Sequence, residues 1–220
     1  MAVGAQGFVE INIKDLITRE EAGAALQKLI LYKASGSFDM TKPSDRTQLE
    51  KIIGWETTNK LSLLLYVTRN EISRLYGEEA GQQFLTTNAQ LRWTDGSENL
   101  VEAGRWHYDG GWFTAAYNLA GNGTQRSTVD RSQSSPKDWA GNLRYDGNTL
   151  RPEDIQEAPA QSALIYTSRE RSLHYQQKNI DAPSLLHAGP PISGARLFMV
   201  QGLGLRRGPS LAAPRSVFDE

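Results

Sequence analysis

Residues 185–200 read LLHAGPPISGARLFMV, two apolar segments joined by a turn. His187 follows two leucines, so its strand emerges from an apolar interior. In AGPPISG two prolines fix φ and two glycines permit tight geometry, which makes a turn. Arg196 then opens the apolar run ARLFMV, where an arginine is costly to bury without an anionic partner. Two readings of Arg196 are open. It sits at the solvent end of its strand beside a surface carboxylate, or it points inward and holds a ligand carboxylate through both arms of its guanidinium.

Working back along the chain, the next relevant stretch is GRWHYDGGWFTAAYNL, 104–119. His107 is one of only three histidines, and Asp109 is two residues on. On a strand, residues i and i+2 share a face, so the imidazole and the carboxylate would project together as neighbouring ligands of one metal. Taken alone, the pair is equally a surface pair at a strand end. His174, in RSLHYQQ, is the remaining histidine and the rival to His187 as a third ligand.

The flanking sequence suggests helices first and strands after. FVEINI, 8–13, alternates as a short strand. Thr18 and Glu21 fit a capping box, and Ala25, Leu26, Leu29 and Ile30 form an apolar stripe, predicting a helix over 19–33. KPSDRTQLEKIIG predicts a shorter helix opened by Ser44 and closed at Gly54. LSLLLYV, 61–67, is continuously apolar and reads as a strand, with a buried helix as the alternative. RNEISRLYGEEAGQQFL predicts another helix, with Asn70 as its N-cap. From about residue 89 short β-rich segments alternate with turn residues, which argues for a sandwich or barrel with helices packed on one side. The polar stretch 121–142 reads as a long loop, a candidate flap, and the tail from Gly208 as loose.

Composition bounds the function. The 220 residues suit one domain, with 1–88 mainly helical support and 89–207 a β core. A net charge of −1 gives no footprint for nucleic acid or for an anionic membrane surface. The absence of cysteine excludes disulfides, thiolate-ligated metals and cysteine nucleophiles. The N-terminus shows no basic segment followed by an apolar run, and the longest apolar run is far too short to span a bilayer, so a cytoplasmic protein is expected.

Together, HYD at 107–109, His187 and Arg196 resemble the pattern of the iron(II)/2-oxoglutarate-dependent oxygenases: His–x–Asp, a distal His, and an Arg shortly beyond. The resemblance covers about 89–205, and HAGPPISGAR is its most specific part. It implies an α+β protein with a double-stranded β-helix (jelly roll) core supported by N-terminal helices. It implies Fe(II) held by His107, Asp109 and His187, with 2-oxoglutarate as co-substrate and O2 as oxidant. Two imidazoles and one carboxylate on one face of an octahedral metal leave the opposite face open for them. Arg196 matches the position that anchors the co-substrate's distal carboxylate, and Tyr117 or Asn118, on the next strand, could offer it a polar side chain. The implied reaction is oxidation of an unactivated C–H bond of a small molecule, with hydroxylation as the default. Asp109 fills the position that related halogenases leave small, so halogenation is disfavoured. Arg92 and Arg105 could bind a substrate carboxylate, or be solvated strand-edge residues. Trp106 and Trp112 could wall the pocket, or be core aromatics, and His174 could lie near the substrate. Two other functions compete: a cupin-type metal dioxygenase independent of 2-oxoglutarate, and a non-catalytic β-sandwich that binds a ligand or partner.

Overall fold

The structure is a computed structural model, and it describes residues 8–76, 78, 82–97, 109–127, 155–168, 185, 187–188 and 194–206. Its elements in chain order are β1 (Phe8–Asn12), α1 (Arg19–Tyr32), β2 (Ser35–Asp39), α2 (Pro43–Ile53), α3 (Trp55–Tyr76), β3 (Phe84–Thr94), β4 (Phe113–Ala120), β5 (Gln125–Ser127), β6 (Ile155–Glu157), β7 (Ser162–Thr167), β8 (His187–Ala188) and β9 (Arg196–Leu205).

The strands form two antiparallel sheets. The main sheet has six strands in the order β1-β7-β4-β9-β3-β2, and the smaller sheet has three in the order β6-β5-β8. Helices α1 to α3 cover one face of the main sheet. There Ala22, Leu29, Leu49 and Leu64 pack against Ala115 and Leu119 of β4, Ile165 of β7 and Met199 of β9. The small sheet covers the opposite face, where Ala158 and Leu185 meet Ala116 of β4 and Leu164 and Tyr166 of β7. This is the jelly roll with helical support that the resemblance implied. It also explains FTAAYNL: β4 is sandwiched between two layers, so residues 113–119 are all buried and alternation disappears.

Helix α1 starts as its cap dictates. Thr18 Oγ1 accepts from the Glu21 amide at 3.2 Å, and the Glu21 carboxylate accepts from the Thr18 amide at 2.9 Å. Glu21 also pairs with Lys60 of α3, which pins the two helices together. Helix α2 does not open at Ser44. Pro43 is the first helical residue, where its fixed φ and missing N–H are tolerated, so Lys42 takes the cap position without a side-chain bond. Gly54, at φ 93°, closes α2 as expected, and α3 begins at the next residue.

LSLLLYV is not a strand. It lies inside the 22-residue α3, which also absorbs Asn70, so Asn70 caps nothing. Leu61, Leu64, Thr68 and Ile72 are buried at helical spacing, while Leu63 and Tyr66 face outward, 46% and 59% exposed. Those two outward apolar residues erase the polar face that would have revealed the period. The expected helix end QQFL is also revised, because Phe84 and Leu85 begin β3. The first 88 residues are more than helical support, since β1 and β2 form both edges of the main sheet. The polar stretch 121–142 is not loop throughout: 125–127 form β5, the middle strand of the small sheet. Residues 128–142 and the tail from 208 lie outside the described residues.

Candidate active site

Three side chains converge between the sheets. Asp109 lies just ahead of β4, Tyr166 is on β7 and His187 opens β8. His187 is 4% exposed and Tyr166 1%. Asp109 Oδ2 is 3.4 Å from His187 Nε2. The Tyr166 hydroxyl donates to Asp109 Oδ2 at 2.7 Å and lies 2.9 Å from His187 Nε2. Its ring packs on the imidazole with centroids 4.5 Å apart. Burial first, then the nearby Asp109 charge, pushes the Tyr166 phenol well above its usual range, so it is a neutral hydrogen-bond donor.

The donor set suits a metal. His187 Nδ1 is 3.1 Å from the Leu185 carbonyl, which only accepts, so Nδ1 carries a proton and Nε2 is the nitrogen turned toward Asp109, where a metal would be held. Neighbouring ligands of an octahedral first-row metal lie roughly 3 Å apart, given bonds of about 2.1 Å. The Asp109 and His187 atoms therefore need only a small adjustment to share one ion. His107 lies outside the described residues, as do Arg105, Trp106 and His174. Among the described residues no group of three or more metal-ligating His, Cys, Asp or Glu side chains occurs.

Arg196 points inward. It is 8% exposed, its guanidinium lies 4.1 Å above the Phe198 ring, and its Nε has no hydrogen-bond partner. Burial pulls its pKa down to about 10, with the Glu157 charge opposing that shift. It remains a cation at neutral pH. The turn after β4 holds it in place: Gly121 has φ 81°, and a Cβ there would collide with the Ala195 carbonyl and lie 3.0 Å from Arg196 Cα. Asn118 faces the same interior, but its side chain is engaged. Its oxygen accepts from the Thr124 amide at 2.8 Å and the Thr124 hydroxyl at 3.1 Å.

Tyr117 does not face this interior, and its expected co-substrate role is withdrawn. It points into the helical layer, where its hydroxyl is 2.6 Å from Thr68 Oγ1, 2.7 Å from the Leu64 carbonyl and 2.9 Å from Gln201 Oε1. Residues 117 and 118 fall on opposite faces of β4, so only one could serve. Arg92 is exposed on β3, opposite Phe198 of β9. Trp112 is half-buried, packed near Phe84 at 6.1 Å, and lines an open cavity of about 620 Å³ beside Asp109. Asn88, Thr114, Val200 and Gly202 form part of the same wall.

No family model and no curated protein matches the sequence. Solved structures do match in fold. A putative oxygenase from Shewanella oneidensis aligns over 91% of this chain and 83% of its own, with a TM-score of 0.55 and 11% identity. The fold is that of the iron(II)/2-oxoglutarate-dependent oxygenases. A full-length Neurospora crassa protein, in complex with α-ketoglutarate and 5-formyluracil, aligns over 91% of this chain and 75% of its own, with a TM-score of 0.52 and 11% identity. The Arabidopsis thaliana dioxygenase for auxin oxidation 1, in a binary complex with 2-oxoglutarate, aligns over 93% and 86%, with a TM-score of 0.50 and 9% identity.

Within this oxygenase fold, sequence reasoning overlooked two side chains of the interior. Tyr166 was legible in principle, because alternation along SALIYT puts Ser162, Leu164 and Tyr166 on one face and Ala163 and Ile165 on the other. Nothing local says which face meets the site. Arg126 had no signal at all, being half-buried in a stretch that reads as polar loop.

Proposed function

We propose that this chain is an Fe(II)/2-oxoglutarate-dependent dioxygenase that oxidises an unactivated C–H bond of a small molecule, with hydroxylation as the default outcome. The observation that carries the proposal is the meeting of Asp109 and His187 at 3.4 Å in an interior that also buries Arg196. Two structures of the same fold hold 2-oxoglutarate or α-ketoglutarate, which supports that assignment of the co-substrate.

In this reading His107, Asp109 and His187 hold the iron, and Arg196 anchors the distal carboxylate of 2-oxoglutarate. Bound iron supplies dioxygen activation coupled to decarboxylation of the co-substrate. The chain's own residues do the positioning. The Leu185 carbonyl fixes the His187 tautomer, with Nε2 facing Asp109. Tyr166 donates to Asp109 and steadies its carboxylate. Arg196, stacked on Phe198 and shielded from water, supplies a cation whose attraction is weakly screened. Trp112 forms an apolar wall of the cavity beside Asp109 and is braced from behind by the cluster of Phe84, Phe113 and Leu203.

Adding 2-oxoglutarate to the anaerobic Fe(II) protein tests the proposal. A visible charge-transfer band is expected, absent in Arg196→Ala. Iron bound without such a band would indicate the 2-oxoglutarate-independent dioxygenase instead. No iron binding, or binding indifferent to His107→Ala and His187→Ala, would leave only a β-sandwich binding protein. Substrate-stimulated succinate formation, screened over amino acids and related metabolites, then identifies the substrate.

A further inference from the structure

The interior between the sheets holds a second arginine that the scheme above leaves without a role. Arg126 is the middle residue of β5 and pairs directly with His187 of β8. Directly opposed residues project from the same face, with Cβ atoms about 4.5–5.5 Å apart. Arg126 and His187 therefore emerge side by side. In the facing sheet, Phe8 of β1 pairs directly with Tyr166 of β7. The Arg126 guanidinium lies 4.1 Å above the Phe8 ring, and the His187 ring lies 4.5 Å from the Tyr166 ring. The four residues make one continuous cross-section of the interior, a cation over an aromatic next to a metal ligand over an aromatic.

Arg126 is only half-buried, yet its Nε is wholly enclosed and has no hydrogen-bond partner. Among the described residues it makes no ion pair; Glu10, further along β1, is the carboxylate whose charge reaches it. A guanidinium held part-way out of water with one enclosed donor unused is set up for an anion from outside the chain. Its stacking on Phe8 covers one face and leaves the planar edge for bidentate binding. Only one cation is needed for the distal carboxylate of 2-oxoglutarate, and Arg196 is the more deeply buried.

We propose that Arg126 and Phe8 form a carboxylate subsite beside the metal position, and that the primary substrate of this oxygenase is a small carboxylic acid. The subsite places the acid one strand from His187, so the carbon oxidised lies within a few bonds of the carboxylate. This deepens the proposed function and rests on it for the metal and for Arg196.

Trifluoroacetate is the probe, read by fluorine NMR relaxation in two arms. In the metal-free protein with saturating 2-oxoglutarate, broadening of the fluorine signal is expected, falling at least about fivefold in Arg126→Gln. The second variant Arg126→Met keeps the stem on Phe8 and should lose binding equally, and thermal melts of both confirm folding. With Mn(II) in place of iron, relaxation should be enhanced further in the wild type and not in either variant. Broadening equal in wild type and variants overturns the subsite. Broadening that 2-oxoglutarate abolishes overturns it too, because Arg126 would then serve the co-substrate. Arg126-dependent broadening without Mn(II) enhancement keeps the subsite but breaks the metal reading on which the oxygenase assignment stands.

Discussion

Tyr117 and Tyr166 are both fully buried, one on each face of the main sheet, and their surroundings differ in kind. Tyr117 belongs to a closed network. Its hydroxyl meets Thr68, Leu64 and Gln201, and the Gln201 amide nitrogen goes on to the Leu65 carbonyl at 2.9 Å and Thr86 Oγ1 at 2.7 Å. All of these partners are neutral, and together they tie α3 to β3, β4 and β9. The Tyr166 hydroxyl instead donates to a carboxylate 2.7 Å away and lies 2.9 Å from an imidazole nitrogen. A network saturated by neutral partners holds a fold together, whereas a carboxylate and an imidazole gathered on one phenol bring together the side-chain types that ligate a metal. Burial alone does not mark a functional tyrosine; the charge of its partners does.

The contrast can be broken at several points. The largest effect is expected for His187→Ala, which should abolish iron binding, measured by metal analysis after desalting; retention of one iron per chain would remove His187 from the site. Arg196→Met comes next. It should weaken 2-oxoglutarate by about 2–5 kcal/mol, as expected when one partner of a buried charge pair is removed. The same change should raise the melting temperature of the ligand-free protein, because a buried cation that Glu157 reaches only through its charge, with no ion pair among the described residues, is replaced by an apolar side chain. A lower melting temperature in Arg196→Met would show that the guanidinium is already satisfied.

The paired tyrosine substitutions test the comparison directly. Tyr166→Phe should weaken metal binding about 10- to 100-fold, the range for a partner that orients a ligand, with little change in unfolding midpoint. Tyr117→Phe should do the reverse: a loss of about 1–3 kcal/mol in denaturant unfolding, with metal affinity unchanged. If both variants lose stability and neither loses metal, the two networks are alike and the distinction fails. The smallest effect is in pH. Arg196 carries its charge up to about pH 10, below the ordinary arginine range because burial disfavours the cation. Affinity for 2-oxoglutarate should therefore show no step from this residue near neutral pH, and should fall as pH rises through about 10. A step near neutrality that disappears in Arg196→Met would contradict that assignment.

Local signals carried much of the fold. The Thr18/Glu21 box is visible as letters because its partners are three residues apart, and the structure forms both bonds. The strand-rich second half was readable from its β-formers and punctuating turns, and HAGPPISGAR carried the order of histidine, turn and arginine. The failures share a cause. LSLLLYV lost its helical period because Leu63 and Tyr66 are apolar but exposed, so the pattern of letters no longer mirrors the pattern of burial. SGSFD, 35–39, has only Phe38 as an apolar residue and still forms the edge strand β2, because β3 is there to pair with it.

The chain's own letters thus settled the residue types, their order and the broad architecture, since each depends on neighbours close in sequence. Tertiary structure alone decided which face each strand turns inward. That choice sent Tyr117 to the helices and Tyr166 to Asp109, and it made β5 out of a polar stretch so that Arg126 stands beside His187. The period of a strand is two, so its alternation is written locally, but the phase is set by what packs on either side, and those partners lie 49 to 136 residues away for the Tyr117 hydroxyl and the Gln201 amide.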